Sequence, residues 1–203
     1  TGGCGGTFTN IAGAVSATYD APAGLTVTTY YRRVATSTQN GVSCSANSNC
    51  ITVTVNDVTG GVIAGTQEIC SGGDPTAFTS TSTATGTGAV TYQWQSGTGG
   101  CGGTFNNIAG ANAATYDVPS GLTVTTYYRR VATSTLNGVQ CMANSNCLTV
   151  TVNPLPIPNA GPDQSVCYGA TVTLSATVTS GTPGYTFTWS HGLGVGAVKT
   201  VNP

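Results

Sequence analysis

A long internal repeat constrains this chain more than any other feature. Shifting the sequence by 97 residues lays Thr1–Asn56 on Thr98–Asn153, and 47 of those 56 positions are identical. The same shift carries Cys4 to Cys101, Cys44 to Cys141, Cys50 to Cys147 and Cys70 to Cys167. A period of this length is too long for a stacked solenoid unit and suits a small domain. The chain therefore reads as a tandem array. A module start fits best near Val58–Ile69, after an ITVTVN or LTVTVN strand has closed the preceding unit. On that phasing residues 1–56 are the back half of one module, 57–153 a complete module, and 154–203 the front half of a third. Such a chain, without an initiator methionine, is expected to be a window onto a longer precursor. Pro154, Pro156 and Pro158 stiffen the second junction, while the first, NDVTGG, is looser.

Within residues 57–153 strand signals are dense. A first pair of strands is expected at Gly61–Ile69 and Ala77–Thr83. Ala89–Gln95 alternates, with Val90, Tyr92 and Trp94 on one face. Thr104–Ile108, Ala114–Asp117, Thr123–Thr133 and Leu148–Val152 supply the rest. Short strands divided by Gly, Pro, Asn and Ser every ten or so residues predict an antiparallel β-sandwich of the immunoglobulin type. No segment shows capped helical periodicity. The fold class is all-β: tandem immunoglobulin-like sandwiches joined by short linkers. Residues 154–203 alternate through Val172, Leu174, Ala176 and Val178, then Tyr185, Phe187 and Trp189, as a related, shorter module.

Charge excludes one class of partner. Only five residues are basic, and four of them form two Arg-Arg pairs. Neither a nucleic-acid backbone nor an anionic membrane finds the basic stripe it needs. No apolar run approaches the roughly 20 residues of a membrane span, and TGGCGGTFTN shows no signal-peptide pattern.

Eight cysteines beside one methionine imply an oxidising compartment. Zinc is the competing reading, but the closest cysteines have five residues between them, as in Cys44–Cys50, and the one histidine is His191. The favoured bridges each cross a long loop: Cys70–Cys141, Cys101–Cys147 and, by the repeat, Cys4–Cys50. Cys44 and Cys167 are then left unpaired within the chain. If the front half of one chain completed the back half of a neighbour, these two are expected to bridge between chains.

The repeated element GLTVTTYYRRVATST carries every arginine. Alternation puts Tyr127, Arg129 and Val131 on one face and Tyr128, Arg130 and Ala132 on the other, so one arginine must face the core. An unpaired buried guanidinium is costly, and Asp117 is the nearest recurring acid. The expected solution is an ion pair of Asp117 with Arg129 or Arg130, mirrored by Asp20 with Arg32 or Arg33. Trp94 and Trp189 are expected as core aromatics.

No cluster of acid, base and nucleophile is legible, and Ser190 beside His191 does not make a triad. No catalytic site, metal site or cofactor is expected. YQWQSG, GTFNNIAGANAATYDVPSGLTVTTYYRRVATS and ANSNCLTVTVN resemble a repetitive immunoglobulin-like module of Bacteroidota surface proteins. NAGPDQSVCYGATVTLSATV is similar to their PKD-like modules. The resemblance covers nearly the whole chain and implies a sandwich fold at an extracellular, cell-surface address. Such proteins are large adhesins or filament proteins, often exported by type IX secretion and associated with gliding motility. The expected function is a non-enzymatic stalk, spacer or surface-fibre block, whose partners are neighbouring modules of the same chain or filament. The alternative is a module that binds a surface glycan or protein.

Overall fold

The computed structural model describes residues 2–202, and every regular element among them is a β-strand. In the first segment β1 (Thr29–Tyr31) pairs antiparallel with β4 (Ile51–Val53), and β2 (Val34–Gln39) with β3 (Val42–Asn47). The β2–β3 turn is Asn40-Gly41, both at positive φ. That is the two-residue turn whose twist matches the flanking strands.

Residues 57–153 contain β5 (Val62–Ala64), β6 (Gln67–Cys70), β7 (Thr79–Ser82), β8 (Ala89–Gly97), β9 (Asn106–Asn107), β10 (Thr126–Leu136), β11 (Val139–Asn144) and β12 (Leu148–Asn153). The long strand β10 organises a six-stranded sheet ordered β6-β12-β10-β8-β9. One edge of β10 is taken by β8, from Tyr127↔Gly97 to Thr135↔Ala89. The other edge takes β12 over Thr126–Tyr128 and then β11 over Val131–Leu136. A smaller sheet, β5-β7, lies apart.

Three expectations change here. Gly61–Ile69 is not one strand. It breaks at Gly65 (φ 127°), where a Cβ would stand 2.7 Å from the Phe78 ring. The break sends β5 to β7 and β6 into the large sheet, parallel rather than antiparallel to β12. Ala114–Asp117 contributes only a bridge between Phe78 and Tyr116, and Thr104–Ile108 shrinks to β9.

The core follows from the alternation of β10. Tyr128, Arg130, Ala132 and Ser134 face inward and are buried. Ile63 and Phe78 pack with Trp94, Ala111, Val118, Tyr128, Leu148 and Val150 into one apolar cluster. The Phe78 ring lies 5.7 Å from Trp94 and 5.1 Å from Tyr128, within the range of favourable aromatic pairs. Trp94 is therefore a core aromatic, and its indole N–H donates to the Ala113 carbonyl at 2.9 Å.

The third segment forms three two-stranded sheets. These are β13 (Pro158–Asn159) with β15 (Thr177–Val178), β14 (Val172–Ser175) with β18 (Val198–Val201), and β16 (Thr188–Trp189) with β17 (Gly194–Val195). Trp189 is only half-buried here, its indole N–H donating locally to the Gly196 carbonyl. The expected second core aromatic is thus not enclosed. Among the described residues every buried one lies between Gly60 and Val150.

Candidate functional site

The Tyr-Tyr-Arg-Arg element is the one place where charge meets the core. Because β10 alternates, Arg129 lies on the outer face and Arg130 on the inner one. Arg130 is fully buried. Its guanidinium donates to the Ala114 carbonyl at 2.6 Å, the Ser80 hydroxyl at 3.1 Å and the Gly60 carbonyl at 3.5 Å. It also stacks 4.4 Å over the Tyr92 ring and 6.0 Å from that of Trp94. Burial lowers its pKa from the ordinary arginine value, with Tyr92 opposing the shift.

The expected ion pair does not form. None of the hydrogen-bond and ring partners of Arg130 is a carboxylate. Arg129 donates to the Gln95 side-chain oxygen at 2.7 Å and stacks 4.4 Å over Phe105. Asp117 is left out because the chain around it presents the Ala114 carbonyl, not its carboxylate, to the guanidinium. Backbone carbonyls and aromatic faces take the charge without the cost of desolvating a second ion.

The same contacts recur in the first segment, again without Asp20. Arg33 donates to the Ala17 carbonyl at 2.8 Å, and Arg32 stacks 4.3 Å over Phe8. The Ser48 hydroxyl accepts the Arg33 backbone N–H, as the Ser145 hydroxyl accepts that of Arg130. There is one difference: Arg33 is exposed. The Ser80 and Gly60 partners of Arg130 come from residues 57–97, and Arg33 has no equivalent of them among the described residues.

Two bridges form as expected, Cys4–Cys50 and Cys101–Cys147, with Cα atoms 5.7 and 5.8 Å apart. Each ties the glycine-rich loop to the ANSNC corner. The expected Cys70–Cys141 bridge does not form, and Cys44, Cys70, Cys141 and Cys167 are all free thiols. The sheet register gives the reason. Cys70 sits opposite Asn153 at the far end of β12, whereas Cys141 sits opposite Ser134. About ten strand residues, on the order of 30 Å, separate those two levels, and a bridge needs Cα atoms within about 7 Å.

Polar groups that the sequence reading passed over hold the element in place. The Asn146 side chain accepts the Ile63 N–H and donates to the Ile63 carbonyl, both at 2.8 Å. Asn56 donates to the Ser134 and Val139 carbonyls, and the buried Ser134 hydroxyl donates back to it at 2.7 Å. The twice-repeated ANSN was the available signal for Asn146. Asn56 is repeated too, as Asn153, but nothing in the sequence points to its partners 78 and 83 residues away.

Two concavities are open to solvent, the first where the ends of β8, β9 and β10 meet and the second in loops. One is lined by Ser96, Gly97, Thr98, Gly99, Thr104, Asn106 and Thr126, the other by Asp57, Thr85, Gly86 and Thr87. His191 lies exposed beside the Ser190 hydroxyl at 3.1 Å. The arrangement thus spends its ionisable and aromatic groups on packing. No curated protein matches the chain. A family model described as a domain of unknown function, DUF8696, matches residues 4–57 and again residues 59–154. Those two matches span well over half of the sequence, and this protein belongs to the DUF8696 family.

Proposed function

We propose that the chain is a non-enzymatic, extracellular run of immunoglobulin-like modules that acts as a stalk, spacer or fibre block of a large bacterial surface adhesin. One observation carries this reading: the strongest chemical group of the repeat, Arg130, is fully buried, its two terminal nitrogens held by backbone carbonyls and a hydroxyl and its plane by a ring face. A group so enclosed supports a framework and offers nothing to a ligand. The two disulfides favour an oxidising, extracellular address. The core that Ile63 of β5 and Phe78 share with residues of the six-stranded sheet supports the sandwich assignment. The paired family matches, residues 4–57 and 59–154, favour a boundary between modules 1–56 and 57–153; the module at 154–203 rests on its own strand alternation. Among the described residues no helix is long and apolar enough to cross a membrane. The resemblance to Bacteroidota adhesins adds type IX export and gliding motility as the setting.

A glycan array combined with single-molecule stretching of the whole chain tests the proposal. A stalk gives no specific glycan binding and unfolds in discrete steps under force. Specific binding at micromolar concentration would replace it with the binding-module reading.

A further inference from the structure

The junction between residues 1–56 and 57–153 has no slack. On its near side the Val55 N–H donates to the Thr28 hydroxyl at 3.3 Å, as Val152 does to Thr125 at 3.0 Å in the second segment. On its far side the Asp57 N–H donates to the Thr87 hydroxyl at 3.1 Å, and the Asp57 carbonyl accepts the Thr87 N–H at 3.0 Å. Val58 then bridges to Gly86, and the Thr59 N–H donates to the Thr85 carbonyl at 2.8 Å. The NDVTGG stretch, which reads as the looser junction, is therefore held residue by residue.

Asn56 stands between those two anchorages, and its side chain reaches into the second segment. Its amide nitrogen donates to the Ser134 and Val139 carbonyls at 2.9 and 3.0 Å, one on each arm of the β10–β11 hairpin. The Gly88 N–H donates to the fully buried Ser134 hydroxyl at 3.0 Å, and that hydroxyl donates to the Asn56 side-chain oxygen at 2.7 Å. A hydroxyl has one proton to give, so this chain fixes which end of the carboxamide faces which partner. Two glycines let the backbone close on the hydroxyl. A Cβ at Gly86 would stand 2.7 Å from Ser134 Oγ, and one at Gly88 2.2 Å from the Thr135 carbonyl oxygen. By the repeat, Ser37, Val42 and the Asn40-Gly41 turn correspond to Ser134, Val139 and the Asn137-Gly138 turn, and Asn153 corresponds to Asn56.

We propose that Asn56 is the pin of a rigid joint between successive modules, and that the β10–β11 hairpin is the socket for the carboxamide closing the module before it. Small polar contacts ordinarily leave neighbouring domains free to move. Here stiffness comes from the absence of slack, not from area. Val55 is bound to one module and the next side chain to the other, so bending the junction must break a hydrogen bond. Because the repeat carries both pin and socket, one joint of fixed angle serves every pair of such modules. The inference deepens the stalk reading and takes from it only the purpose of the joint. A loose junction would leave the stalk standing as a flexible string, whereas specific glycan binding would end the stalk reading and leave the joint as it is.

The test is double electron–electron resonance on the whole chain, with spin labels on the exposed thiols of Cys44 and Cys70 and serine at Cys141 and Cys167. One label then sits on each side of the junction, and a single narrow distance distribution is expected. Asn56→Ala and Asn56→Asp should each widen it by about twofold or more, towards the free motion usual for domains with a small interface. Asn56→Asp keeps the shape and the bond accepted from Ser134, so its effect isolates the two lost donations to carbonyls. A second labelled pair, Cys70 with Cys141 and serine at Cys44 and Cys167, lies wholly within residues 57–153 and should stay narrow in both variants. A broad Cys44–Cys70 distribution in the unsubstituted chain overturns the proposal, as does one indifferent to both substitutions. So does a Cys70–Cys141 distribution that broadens with Asn56→Asp, which would make Asn56 part of the second module's own fold and not a joint.

Discussion

The guanidinium carbon of Arg130 lies 4.4 Å from the centre of the Tyr92 ring, one level along β8 from Trp94, the residue it faces across the strand pair. A cation is thus kept inside a β-protein without a counter-ion. Its Nε is a buried donor lacking a partner, so the arrangement is not fully compensated.

That imbalance predicts an ordered substitution series. Arg130→Ala should cost about 3 kcal/mol or more, leaving a cavity and the Ala114 carbonyl and Ser80 hydroxyl without their donor. Arg130→Met, of similar volume, should cost far less or even stabilise, as replacement of buried ions often does. Arg33→Ala, at the exposed equivalent, should change stability by less than about 0.5 kcal/mol. Urea titrations followed by tryptophan fluorescence, at dilution, check the order.

The two kinds of cysteine should separate cleanly. Each bridge closes a span of 46 residues, for which chain entropy gives about 4 kcal/mol as an upper figure. Replacing Cys101 and Cys147 by serine should lower stability by about 2–4 kcal/mol. Replacing Cys70 and Cys141 should leave it nearly unchanged. Thiol labelling of the native chain should find Cys44, Cys70 and Cys167 fast and Cys141 slower, in line with their exposure.

Asn146→Ala should cost about 2 kcal/mol, since it strips both backbone partners from the buried Ile63. Asn49→Ala, the same change in the first segment, should be close to neutral. Hydrogen exchange at the Ile63 amide reports the first loss directly.

Alkaline pH should unfold the core through Tyr128. Burial first, then Tyr116, raises its pKa to about 12, against a weaker lowering by Thr126. The folded state therefore prefers the neutral phenol. Its contribution is fully present below the unfolded value near 10 and is lost as pH rises through about 12. A two-unit shift corresponds to on the order of 2–3 kcal/mol. Tyr128→Phe should flatten this alkaline arm in a pH series of denaturation midpoints.

Strand positions were legible wherever alternation was long, as in Ala89–Gln95 and the Tyr-Tyr-Arg-Arg run, because a period of two marks a half-buried strand. The inward arginine was legible for the same reason. Its partners were not. Sequence reasoning looked for an opposite charge at Asp117, whereas the structure uses the Ala114 carbonyl, and backbone acceptors leave no compositional trace. The Cys70–Cys141 pairing failed on a related point. Loop length favours distant pairings, but only the register shows that these two cysteines lie at opposite ends of the sheet. Gly65, which divides one expected strand between two sheets, looked like any other glycine until Phe78 was placed beside it.

The parallel pairing of β6 with β12 bears on how tension would pass through residues 57–153. The chain approaches through Asn56, fastened at the β10–β11 end, and leaves from Asn153 at the other. Traction on those two points drags β6 and β12 past one another along their length. The four register pairs from Val150↔Gln67 to Asn153↔Cys70 are then strained together in shear, not peeled one after another, which is the geometry in which a short strand pair resists rupture best.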